Sequence, residues 1–252
     1  LDTTTQVTTI LVLLVAFAVT VVVMQFVRRR PEVFVLRRQA AYRALPMYAA
    51  NAVETGQPMA IGLGNAGLGG ESSLLALACA EIAYQVAVRS AYGDRAPILT
   101  TSNPTALPLI QDTVRRVARK VGRVREFSDA RWYPAGARSL AYVAALTALQ
   151  STENTSAQVL VGRFGPELAL IAEAGVRRGH PVIAASDRLD GQAVGFVYGA
   201  HPLIGEELFQ AGAYLDENPS RKGETVALDL LRVALVVVMI IVTVLRVTRG
   251  GS

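Results

Sequence analysis

The chain has 252 residues, 52% of them hydrophobic, with 25 lysines and arginines against 20 acids and a net charge of +5. A single cysteine, Cys79, and two histidines, His180 and His201, exclude a disulfide framework, a thiolate metal site and a histidine-rich metal centre. A mean hydropathy of +0.36 is high for a soluble protein, and much of the excess lies at the two ends.

Thr8 to Val27 carries no charge over twenty residues, the length a helix needs to cross the hydrocarbon of a bilayer. No basic residue precedes it, which favours an anchor over a cleaved leader. Arg28, Arg29, Arg30, Arg37, Arg38 and Arg43 follow it closely. The positive-inside rule then predicts a cytoplasmic middle domain with both ends outside, and the same arginines suit anionic headgroups better than nucleic acid. A second span is expected from about Val226 to Val247. Only Val233 to Leu245 is free of charge there, but the run has no polar face. Asp229 and Arg232 are placed to pair at its entrance and Arg246 to snorkel at its exit. The expected organisation is a two-pass protein of the cell membrane: a transmembrane helix over 1–27, a basic connector over 28–57, a cytoplasmic domain over 58–220, and a second transmembrane helix with its tail over 221–252.

Between the spans, short β-like runs alternate with helical patterns, which predicts an α/β fold. Strands are expected at Pro58–Leu63, Pro97–Thr101, Val124–Phe127, Gln158–Val161, Pro181–Ala185 and Ala193–Tyr198. Helices are expected at Glu71–Tyr92, Thr105–Val121, Tyr133–Gln150, Pro166–Arg178 and Pro202–Tyr214. A mostly parallel sheet in a Rossmann-like three-layer sandwich, flanked by the two transmembrane helices, accounts for this alternation.

Gly62-Leu-Gly64-Asn-Ala-Gly67 is a literal G-x-G-x-x-G between an expected strand and an expected helix. In a dinucleotide fold such glycines bring backbone amides up to a pyrophosphate. The next strand, however, ends in Thr100, Thr101, Ser102 and Asn103, with no carboxylate for a ribose hydroxyl, and Gly69 and Gly70 delay the helix. Three helices are expected to open on acids after glycine-containing loops, at Glu71, Glu167 and Glu206. Acids there cap free amides. If the loops converge at the carboxyl ends of parallel strands, they also make a rim suited to a small polar ligand or a cation. The candidate binding residues are therefore Gly62, Gly64, Gly67, Gly69, Gly70, Thr100, Thr101, Ser102, Asn103, Glu167 and Glu206, with no cofactor identified. No catalytic set can be assembled: the serines lack a G-x-S-x-G elbow, and neither H-E-x-x-H nor a P-loop occurs. Trp132 and Tyr133 are expected at the lip of the sheet.

The glycine loop, the run Ile98 to Asp112, the loop Val161 to Glu167 and the segment Leu203 to Tyr214 together resemble a family of uncharacterised prokaryotic membrane proteins. Those proteins carry a domain of unknown function between membrane segments, and the resemblance implies a membrane location without an activity. Two functions remain open. One is a non-catalytic scaffold that homo-oligomerises through Ala-rich faces such as Leu74–Ala83 and Leu140–Leu149, within a larger membrane assembly and with the bilayer as partner. The other is a nucleotide or metabolite module, or an enzyme, built on Gly62 to Gly70. Nucleic acid is not an expected partner.

Overall fold

The computed structural model describes residues 3–29, 39–124, 130–198, 201–216, 223, 225–236 and 239. The chain divides into two compact units, Arg38–Ala211 and a second made of Leu1–Arg37 with Gly212–Ser252.

In the second unit, helix α1 (Thr3–Arg29) presents apolar side chains all round. Phe17 and Val22 are about two-thirds exposed, and Ile10–Val27 is long and apolar enough to cross a membrane. Among its described residues the buried side chain is at the carboxyl end. Val27 is buried, and Gly223 lies so close that a Cβ there would stand 3.2 Å from Met24 Cγ. Residues 225–236 are helical, with Thr225 and Ala227 buried and Leu228, Val233 and Leu235 exposed. The remainder of the expected second span lies outside the described residues, apart from Met239. So do Arg30, Arg37 and Arg38 of the basic group.

The Arg38–Ala211 unit begins with a helix where the sequence suggested only a connector. Helix α2 (Ala40–Thr55) buries Tyr42, Leu45, Ala49 and Ala52, and ends at Gly56, whose left-handed conformation lets its N–H reach the carbonyls of Ala52 and Val53. The Tyr42 hydroxyl donates to the Glu207 carbonyl at 2.5 Å. Strands and helices then alternate: β1 (Met59–Gly64), α3 (Ser73–Ser90), β2 (Ile98–Thr101), α4 (Leu107–Val121), β3 (Arg131–Trp132), α5 (Leu140–Thr152), β4 (Ala157–Arg163), α6 (Leu168–Arg177), β5 (Val182–Ser186), α7 (Leu189–Tyr198) and β6 (Leu203–Ile204). A 3-10 turn over Gly205–Gln210 and helix α8 (Ala211–Leu215) follow.

All six strands pair in parallel, in the order β3-β2-β1-β4-β5-β6. The order reverses between β1 and β4, as it does in doubly wound α/β sheets. Ile61 stands beside Leu99 on one side and Val159 on the other, and Val159 beside Ile183. These four are buried, which is why the central strands read as unbroken apolar runs. The helices form two groups, α2 with α3 and α4, and α5 with α6 and α7. Tyr142, Leu146, Phe164, Leu168 and Ile171 fill the core between the second group and β4–β5. Each such side chain contributes about 1.5–3 kcal/mol by leaving water.

Four expected elements differ. Ala193–Tyr198, read as a strand, is the carboxyl half of α7. After β2 the next strand among the described residues is Arg131–Trp132; of the expected Val124–Phe127, Val124 lies in a turn and the rest falls outside the described residues. Pro202–Tyr214 is not one helix: Leu203–Ile204 is the edge strand, and helical turns follow only from Gly205. The helix expected from Tyr133 starts at Leu140, after residues that include Gly136 at φ 67°.

Candidate functional site

The glycine motif sits where a doubly wound sheet carries its ligands, at the carboxyl end of β1 beside the point of strand reversal. Gly62 leaves room for the Tyr142 hydroxyl, which a Cβ there would meet at 3.1 Å. That hydroxyl is buried and lies 3.0 Å from Thr100 Oγ1, and Thr100 in turn donates to the Ile61 carbonyl. Burial pushes the Tyr142 phenol well above its ordinary pKa. The hydroxyl packs inside the core, with Thr100 as its hydrogen-bond partner.

At Gly64 the backbone turns into the left-handed region at φ 56°, and the pairing with β4 shifts register between Gly62 and Gly64. The turn brings the Asn65 N–H onto the Arg163 carbonyl at 3.0 Å, so the chain itself bridges the crevice between β1 and β4. A Cβ on Gly64 would lie 2.5 Å from that carbonyl oxygen.

The loop amides that a pyrophosphate needs are engaged by the protein's own hydroxyls. Gly67 N–H donates to Ser72 Oγ at 3.1 Å, and Leu68 N–H to Thr105 Oγ1 at 2.9 Å. Ser73 Oγ accepts from both Gly69 and Gly70, at 3.0 and 3.1 Å. The Asn103 side chain lies over Gly67, where a Cβ would come within 2.1 Å of its Nδ2, and donates to the Asn65 carbonyl. The same side chain accepts from the Thr105 N–H and hydroxyl.

The sheet therefore does bring Gly62–Gly70 together with Thr100–Asn103, but these residues bond to one another. Ser102 N–H donates to the Gly64 carbonyl at 3.0 Å, Thr101 Oγ1 donates to the same carbonyl, and Trp132 Nε1 donates to the Ser102 carbonyl. Trp132 and Tyr133 do stand at the lip, Trp132 about half exposed and the Tyr133 N–H on the Thr101 carbonyl.

The three acids part company. Glu71 is exposed ahead of α3. Glu167 accepts from the Gly165 N–H at 2.9 Å, capping the loop after β4. Glu206 belongs to the turn after β6, two strands away from β4, where its neighbour Glu207 caps Ile204 N–H at 3.1 Å.

A charged rim that the sequence did not single out lies at the ends of β4 and β5. Arg163 pairs with Asp187 at 2.7 Å and Arg188 with Asp190 at 2.7 Å. The Arg188 hydrogen bond lowers the Asp190 carboxyl below its usual range. Ser186 Oγ donates to the Phe164 carbonyl and accepts from the N–H groups of Phe164 and Arg188. The available signal was positional: Arg163 is the last residue of β4 and Asp187 directly follows β5, its parallel neighbour. Elsewhere, burial raises the Cys79 thiol and lowers His180, and His201 stacks on Tyr48.

Residues 2–251 match the family described as a domain of unknown function, DUF6754, and the chain belongs to that family. Neither a curated protein nor a solved structure matches it.

Proposed function

We propose that this member of the family is a membrane-anchored, non-catalytic assembly protein whose α/β domain self-associates through helix α7. The observation that carries the reading is the outward face of that helix. Leu189, Ala193, Phe196 and Val197 follow one another at i, i+4, i+7 and i+8, on one side of the helix. Leu189 is 83%, Phe196 69% and Val197 75% exposed. The opposite side is seated on the sheet through Gly191 and Gly195, where a Cβ would meet Ser186 and Phe164 or Ala184. A helix apolar on both sides belongs inside an assembly.

Covering three large apolar side chains on each of two copies is worth on the order of 10 kcal/mol, comparable to the cost of association. Confinement to a bilayer lowers that cost by raising the effective concentration. The Ala-rich faces expected from sequence are supporting surfaces: Leu74 and Leu77 on α3 and Leu140 on α5 are half or more exposed. The glycine loop supports the non-catalytic half of the reading, because its amides are already bonded to Ser72, Ser73 and Thr105.

The exposed apolar α1 supports anchoring. The arginines after it support a cytoplasmic domain, and the apolar run after Val226 supports a second span. Cysteine labelling of an exposed domain position such as Ser151 in intact cells tests the side. Protection from an impermeant reagent agrees with the reading, and labelling from outside reverses it. Sedimentation of the full chain in mild detergent tests self-association. Phe196→Ser with Val197→Ser is expected to reduce the mass to that of one copy while the melting temperature holds. An unchanged mass removes α7 from the contact.

A further inference from the structure

We infer that the outer face of α4 is a docking surface for anionic lipid headgroups, a second contact with the bilayer besides the anchor; this rests on the membrane anchoring proposed above. Helix α4 buries Ile110, Thr113, Val114, Val117 and Ala118 against its neighbours and turns Arg115, Arg116, Arg119 and Lys120 to solvent. The helix carries four cations and a single acid, Asp112, which reaches Arg119 only at 4.0 Å with both side chains mostly exposed. Such a pair leaves the positive charge of the face largely intact. Arg116 lies over the Tyr84 ring, 4.4 Å from its centroid, a cation–π contact that ties this side chain to α3.

Arg123, just past the helix, is different in kind. Its guanidinium donates to the carbonyls of Ala91, Gly93 and Asp94 and holds the end of α3 in place. Arg115, Arg119 and Lys120 therefore project from a braced helix, with Arg116 lying over Tyr84 beside them. Positions 115, 116, 119 and 120 share one side of it, one turn apart, which lets them meet a plane of negative charge together. Charge complementarity selects the occupant: a leaflet of anionic headgroups attracts a basic cluster within about one Debye length. A chain tethered in that leaflet meets it at high effective concentration.

The test uses the full chain with a fluorophore at Val124→Cys, an exposed turn beside α4, or at Ser151→Cys on α5 as control. The chain is reconstituted in phosphatidylcholine vesicles with or without phosphatidylglycerol, each carrying a headgroup quencher. The buried native cysteine does not compete for label. Phosphatidylglycerol is expected to quench at position 124 and not at 151, reversibly with salt. Replacing Arg115, Arg119 and Lys120 together by Gln is expected to weaken the effect by more than about tenfold. Equal quenching in neutral vesicles, quenching confined to position 151, or no change in the triple variant overturns the inference. Displacement of the lipid effect by a short duplex RNA would reassign the face to nucleic acid. Anchoring is read separately, as retention of the chain after an alkaline wash. Its loss with salt-reversible quenching intact leaves the α4 surface standing and sinks the anchor; the opposite pattern does the reverse.

Discussion

Replacing the loop glycines one at a time by Ala separates a structural turn from a ligand cradle. At Gly64 the substitution meets two costs. An L-residue at φ 56° costs about 1 kcal/mol. The new Cβ lies 2.5 Å from the Arg163 carbonyl oxygen, which is backbone and is fixed by the Asn65 hydrogen bond, so overpacking adds about 1–3 kcal/mol. The sum is roughly 3 kcal/mol, a fall of about 6–12 °C in melting temperature for a domain of this size. Gly69 is at φ 89° but nothing lies within 4 Å of a Cβ there, so only the conformational cost applies, about 1 kcal/mol or 2–4 °C. Gly70 has neither constraint, and Gly70→Ala is expected to stay within about 0.5 kcal/mol of the parent. Differential scanning calorimetry of the three full-length variants in one detergent gives the series. Equal losses at Gly64 and Gly70, or none at Gly64, would refute the assignment of the turn to chain packing.

Gly62→Ala is expected to cost about 1–3 kcal/mol by pressing on the Tyr142 hydroxyl, and less than that in a Tyr142→Phe background, since the clashing atom is then absent; a double-mutant cycle by denaturant unfolding checks the coupling. Ser73→Ala removes the acceptor shared by the Gly69 and Gly70 amides, with an expected loss of about 1 kcal/mol and faster hydrogen exchange at those two amides. Glu153 is held below the ordinary carboxylate range, first by the hydrogen bond from Arg131 and then by Arg95. The unfolded chain binds its proton more readily, so the stabilisation is complete above the ordinary carboxylate pKa and is lost as the pH falls toward the native value. The melting temperature of Glu153→Gln is expected to fall less steeply than that of the parent below about pH 4.5.

The parts of the fold that could be read from sequence are those with enough residues to show a period. β1, β2, β4 and β5 are buried runs of four to seven residues, and each agrees with its expected range within two residues at either end. The edge strands Arg131–Trp132 and Leu203–Ile204 have two residues each, too few for any alternation, and exist through pairing with β2 and β5. Ala193–Tyr198 reads as a strand because Val, Phe and Tyr favour one. It folds as a helix because Gly191 and Gly195 let α7 sit down on β5. Helix α2 was obscured by Pro46, which lies on its exposed side. At the site, the glycine pattern marked a strand-to-helix turn, and the strand order puts that turn at the reversal of the sheet. It carried no sign that Ser72, Ser73 and Thr105 take up the amides, since that depends on rotamers and on a residue from a different loop.

Native mass spectrometry of the full chain released from mild detergent decides between self-assembly and nucleotide binding, because one spectrum reports copy number and any retained small molecule. A homo-oligomer without a bound nucleotide is expected, converted to single copies by Phe196→Ser with Val197→Ser. A single copy for the parent chain, or a nucleotide retained by the parent and lost in Gly64→Ala, would contradict it.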